Sequence, residues 1–196
     1  MPIFLKPPAA DQVERVLQQN HSSPFAYPHP GITWESNAGT SPPALNKFNW
    51  DRYGIRLGQG GECFRKAKSH FENWEMFSLD WIRLYPIQPL IQEGQVVGVL
   101  VKVAGVWILN LCRIVRTLAE ARQISFSYGT LSNHAEAGEE KFSLEWSAED
   151  DTVRYEINAV SRPNMLIAKL AYPYVRNLQK RFCRESMEHM RELIRS

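Results

Sequence analysis

Residues 128–142 read YGTLSNHAEAGEEKF and place His134, Glu136, Glu139 and Glu140 between two segments that alternate like strands. An imidazole and carboxyls this close are the groups of acid–base chemistry near neutral pH, or of a metal site where the spacing suits one. The spacing of His134, Glu136 and Glu139 matches no strong metal template, so no metal and no cofactor is expected. Nothing in the sequence fixes a nucleophile or an oxyanion hole. Catalysis would therefore rest on His134 and Glu140 as an acid–base pair.

Strand alternation sorts these groups by face. Glu140 falls in phase with Phe142, Leu144 and Trp146, while Lys141, Ser143 and Glu145 fall on the other side. With the apolar set facing the core, Glu140 points inward at the mouth of a sheet and Glu139 points to solvent. Tyr128 lies in phase with Ile124 and Phe126. A carboxylate carried into a low-dielectric interior must find a partner or take up a proton. Arg113 and Arg162 are the cations to consider, since a guanidinium fork suits a carboxylate. Three readings follow. Glu140 and an arginine form a buried structural pair, or Tyr128, His134, Glu140, Arg113 and Arg162 line a cavity entrance, or His134 and Glu140 catalyse. Trp107 and Trp146 are either core or cavity lining.

The elements that must position these groups are legible from periodicity. Residues 9–19 read as a short helix with Val13, Val16 and Leu17 on one face. Residues 21–48 are rich in Pro, Gly, Ser and Asn and read as an irregular arm, pinned to the body by Phe25, Tyr27 and Trp34. DRYGIRL at 51–57 suggests a strand, and Gly58–Gly61 allow a sharp turn into a helix. That helix carries Phe64, Ala67, Phe71, Trp74 and Phe77 at spacings of three and four. From Trp81 the period changes to two, giving six strand candidates up to Ser161. Residues 164–171 suggest a short helical piece. Pro173 interrupts it, and a long closing helix follows with a stripe of Val175, Leu178, Phe182, Met187, Met190 and Ile194. Its basic residues Arg176, Lys180, Arg181 and Arg184, balanced by Glu185, Glu188 and Glu192, read as a solvated face.

Composition bounds the function. The chain has 196 residues, enough for one domain with an added arm, here divided as 1–49 and 50–196. A formal charge of +2, without aromatic–basic or zinc-finger motifs, argues against a nucleic-acid partner. Cys63, Cys112 and Cys183 are odd in number and widely spaced, which suits a reducing, cytoplasmic setting. Cys112, in an apolar strand, reads as an inert thiol. The N-terminal residues hold no apolar run of signal-peptide length. The apolar window 95–115 carries Lys102 and Arg113 and is expected to form two buried strands turning at Ala104–Gly105, not a membrane span.

Several motifs resemble a known family. They are Gly58-x-Gly60-x3-Phe64-x2-Ala67, Trp74-Glu75-Met76-Phe77 and Asn110-x-Cys112-Arg113-x-Val115. With them go Tyr128-Gly129-Thr130-Leu131-x2-His134-x3-Gly138-Glu139-Glu140-x-Phe142, Ser161-Arg162-Pro163 and Leu178-Gln179-x-Arg181-Phe182. Over about residues 50–190 the chain resembles uncharacterised protein family 0548, a domain of unknown function found in bacteria and plants. The resemblance implies membership and no activity. The element order is similar to that of the START/Bet v 1 superfamily of hydrophobic-ligand binders.

The expected fold is α+β, an antiparallel sheet wrapped round a long C-terminal helix in the helix-grip manner, with an irregular N-terminal arm. One face of such a sheet must be covered, and only the closing helix is long enough to do so. A curved sheet need not be filled beneath its helix. The expected function is binding of a small hydrophobic or amphipathic ligand without changing it. The alternatives are a cyclase- or hydrolase-like enzyme using His134 and Glu140, and a non-catalytic interaction protein with a filled core.

Overall fold

The structure, a computed structural model, describes residues 2–35, 48–132, 134–164 and 172–195. Eight strands form one antiparallel sheet. They are β1 (Ile3–Phe4), β2 (Asn49–Gln59), β3 (Ile82–Tyr85), β4 (Val96–Val103), β5 (Val106–Ala119), β6 (Gln123–Thr130), β7 (Glu136–Trp146) and β8 (Thr152–Pro163). Their spatial order is β2-β8-β7-β6-β5-β4-β3, with β1 joined to β5. From β3 to β8 each strand pairs with the next in sequence, as short antiparallel connections favour. The turn between β4 and β5 falls at Ala104 and Gly105, with φ of 48° and 84°. Two successive positive φ values give the turn whose twist matches a hairpin. The apolar window is thus two strands. No helix among the described residues is long and apolar enough to cross a membrane.

Among the described residues four helices accompany the sheet: α1 (Ala10–Gln19), α2 (Ile32–Glu35), α3 (Gly60–Glu72) and α4 (Tyr172–Arg195). Helix α3 stops earlier than its apolar pattern suggests. Trp74 adopts a left-handed φ of 59°, and Glu75–Phe77 form a 3-10 turn instead. The break delivers Trp74, Met76 and Phe77 to the core, where Trp74 also donates its indole N–H to the Pro89 carbonyl at 2.7 Å. Phe71, Phe126, Phe142 and Tyr155 are fully buried there, and the Phe126 and Phe142 rings stack 5.1 Å apart. Each such ring contributes about 1.5–3 kcal/mol by leaving water. The short helical piece expected at 164–171 lies outside the described residues from 165 onward.

The sheet is covered on both faces. Helices α3 and α4 pack on the inner face. On the outer face α1 sets Val13 and Leu17 on Tyr85, Leu100, Trp107 and Leu109. The arm adds Tyr27, Ile32 and Phe48 on Ala137 and Val160. The described part of the arm therefore covers the outer face over β7 and β8.

Candidate functional site

One rung of the sheet organises the site. Asp51 of β2 faces Ala159 of β8, Ala159 faces Glu140 of β7, and Glu140 faces Tyr128 of β6. Neighbouring strands are about 4.8 Å apart, so Ala159 separates Asp51 from Glu140 by about 10 Å. Tyr128 donates its hydroxyl to Glu140 Oε2 at 2.7 Å. Strand β7 begins at Glu136, so Glu136 shares the inner face with Glu140. Gly138 and Ser161, also turned this way, are small. With Ala159, Cys112 and Cys183 they leave the space beneath α4 unfilled.

The result is a hollow of about 440 Å³. Val99, Val101, Ile108, Val175, Leu178 and Phe182 supply much of its apolar wall. Ile3 and Tyr174 also line it and stay 54% and 48% exposed, which puts them at its rim. The polar lining includes Asn110, Tyr128, His134, Glu136, Glu140 and Gln179. The sheet–helix interface is therefore not filled, against the filled-core alternative.

A hydrogen-bonded chain runs along the polar side. Arg176 of α4 grips Asp51 through two bonds of 2.6 and 2.7 Å. The same guanidinium donates to Gln179 Oε1 at 2.8 Å. The Gln179 amide donates in turn to Glu136 and, at 3.1 Å, to Ser161 Oγ. His134 Nδ1 accepts the Glu136 backbone N–H at 2.9 Å. The ring must therefore carry its proton on Nε2 when neutral.

Burial dominates the electrostatics. It pushes the Glu140 carboxyl up to about 7, the Tyr128 bond opposing and the charges of Glu136 and Asp51 adding. Glu136 is likewise pushed up to about 7 by burial, against the Gln179 bond and Arg176. Burial lowers His134 to about 4, so its ring is neutral at physiological pH. The thiols of Cys112 and Cys183 are raised, again by burial first, and are unreactive as expected. Among the described residues no three His, Cys, Asp or Glu side chains are placed to hold a metal ion.

Of the sequence candidates, the structure brings Tyr128, His134 and Glu140 together at the hollow. The other four lie elsewhere. Arg113 points to the outer face, donating to the carbonyls of His21 and, at 2.8 Å, Ser23, with its guanidinium over the Phe25 ring. Arg162 lies over the Phe48 ring at 4.8 Å, on the same outer side. Trp107 belongs to the cluster under α1, with Arg83 over its ring. Trp146 stacks on Phe64 and donates to Asp151 Oδ1 at 2.6 Å, away from the hollow. No arginine–Glu140 pair forms. The cation that does reach the site is Arg176, which the sequence had suggested was part of a solvated face.

Glu139 corrects a second expectation. It is 2% exposed, not solvated. Its carboxylate accepts the Tyr27 hydroxyl at 2.6 Å, the Gly31 N–H at 2.6 Å, the Thr33 N–H at 3.4 Å and the Thr33 hydroxyl. Parity was right, since Glu139 does face away from Glu140. What the parity rule lacked was the arm, which turns the outer face into a second interior. Gly129, opposite Glu139, has no side chain because a Cβ there would lie 2.2 Å from the Tyr27 oxygen.

A curved antiparallel sheet gripping one long helix over a partly empty interior defines the helix-grip class of α+β proteins. The chain belongs to the family described as a domain of unknown function (DUF1990), whose model matches residues 26–189. That match begins within the arm. A "UPF0548 protein" of Dictyostelium discoideum is 33% identical over 98% of this chain and 95% of its own length. Another, of Deinococcus radiodurans, is 30% identical over 98% of both chains. Among solved structures, the Zhui aromatase/cyclase of Streptomyces sp. R1128 aligns with a TM-score of 0.51 and 15% identity. It covers 76% of this chain and 94% of that one. A hypothetical protein of Helicobacter pylori aligns with a TM-score of 0.52 and 11% identity, over 76% and 88%. At such identities the likeness is one of fold.

Proposed function

We propose that the chain binds a small hydrophobic or amphipathic molecule in the hollow beneath α4 and releases it unchanged. The observation that supports this is a hollow of about 440 Å³ with apolar walls and a few polar groups gathered on one side. Ligand sites are commonly a few hundred Å³, mostly apolar, with a small set of polar groups that orient the guest. Tyr128, His134 and Glu140 are the residues that orient it, joined by Glu136 and Gln179. All three cysteines carry free thiols, which suits a cytoplasmic setting.

The test is equilibrium binding of Nile red, a neutral apolar fluorophore. The wild type should give saturable, blue-shifted emission, and Ala159→Phe, which fills the hollow, should lose it while keeping its circular dichroism. Equal emission from both proteins, or none from the wild type, would overturn the reading.

One observation favours a second reading. Glu140, held near 7 and hydrogen-bonded by the Tyr128 phenol, faces the same hollow as His134, as a general acid–base group of a cyclase- or hydrolase-like enzyme would. Turnover of a panel of alkyl and aryl esters that vanishes in Glu140→Gln, with Nile red binding retained, would replace binding by catalysis.

A further inference from the structure

The charges around the hollow are unequal. Asp51, Glu136, Glu139 and Glu140 all line it, Glu139 with its carboxylate turned to Tyr27, Gly31 and Thr33, whereas no lysine or arginine among the described residues does. Asp51 is matched by the two bonds from Arg176. Among the described residues Glu136 and Glu140 receive only neutral donors, the Gln179 amide and the Tyr128 hydroxyl. His134 does not supply the missing charge, because its Nδ1 is occupied as an acceptor of the Glu136 N–H. Protonating that nitrogen would break the bond.

Resting on ligand binding in this hollow, we propose that the guest is an apolar amine, whose protonated head is received by Glu136 and Glu140. An ammonium group carries the charge that the two carboxyls lack and N–H donors that their oxygens can accept. A carboxylate or phosphate head would add negative charge to a site holding two carboxyls and no free cation, which costs more as the surroundings become less polar. An alcohol would satisfy hydrogen bonds and leave the charge uncompensated. The apolar walls fix the body of the molecule and the carboxyls fix its head.

The experiment is isothermal titration of the full chain with dodecylamine, dodecan-1-ol and dodecanoate at pH 7.5, each below its solubility or micellar limit. Dodecylamine should bind at least tenfold more tightly than dodecan-1-ol, and dodecanoate most weakly. In the Glu136→Gln/Glu140→Gln double variant the amine's advantage over the alcohol should fall below threefold, and Glu140→Gln alone should give an intermediate value. Dodecanoate binding as tightly as dodecylamine, or an amine preference that survives the double substitution, would overturn the head-group assignment alone. Failure of all three to bind would overturn the ligand site itself.

Discussion

Replacing Glu140 by Gln should stabilise the protein, and only where the carboxyl would be ionised. The side chain donates no bond that Gln cannot replace, and the Gln carbonyl can still accept from Tyr128, 2.7 Å away in the wild type. In the unfolded chain a glutamate titrates near 4.5, whereas in the fold burial has pushed this one up to about 7. The folded state thus holds a proton that the unfolded state has already released. Stability present below pH 4.5 is lost as pH rises towards 7, and no more is lost above it. The gap corresponds to about 3 kcal/mol. Coupling to Glu136 and solvent within the hollow reduce what the substitution recovers, so a gain of about 1–3 kcal/mol at pH 8 is expected. For a chain of this length each kcal/mol moves Tm by about 2–4 °C. Urea denaturation of both proteins at pH 5 and pH 8 reads the effect, since carboxyls that do not interact with Glu140 cancel in the difference. Glu140→Gln should be near neutral at pH 5 and stabilising at pH 8. A difference independent of pH, or destabilisation at pH 8, would show that this carboxyl is not held in a low-dielectric interior.

Both faces of the sheet make further predictions. Tyr27→Phe removes the 2.6 Å bond to the buried Glu139 carboxylate and should cost about 1.5–3 kcal/mol in urea denaturation, with faster amide exchange over residues 24–33. Gly129→Ala forces a Cβ against Tyr27 and Phe25 and should loosen the arm, seen as faster proteolysis before residue 35. Gly138→Ala sets a Cβ 2.0 Å from the Val160 carbonyl oxygen, which cannot move aside as a side chain can, and should cost more than about 3 kcal/mol by the same denaturation assay. Arg176→Met strands Asp51, whose side chain is 18% exposed, and should cost about 2 kcal/mol; adding Asp51→Asn should restore much of that stability.

How far the sequence carried this picture depended on the range of the interactions involved. Period-two alternation gave the strands from β3 to β8, and the three-and-four spacing gave α3 and α4, because those patterns record which side of an element meets the core. Parity within β7 likewise brought Glu140 inward beside Tyr128. The same parity applies to Glu136, but its segment read as a loop because Gly138 and Ala137 lack strand character. Asp51 and Arg176 meet across 125 positions of sequence, where a sheet edge passes the start of a helix, and no local pattern records such a meeting. Arg113, Arg162 and Glu139 depart from expectation for one shared reason. Strand alternation alone implies a wet outer face, and the arm that dries it shows no periodicity. Gly129 held the missing signal, since a glycine within an apolar strand marks a close approach by something else.

Native mass spectrometry of the wild type and of Ala159→Phe, each incubated with a crude lipid extract and then extracted for whatever travels with it, tests most directly whether the hollow is a binding site. The wild type should retain a non-covalent small-molecule adduct that Ala159→Phe does not. Bare protein in both spectra, or the same adduct on both, would contradict it.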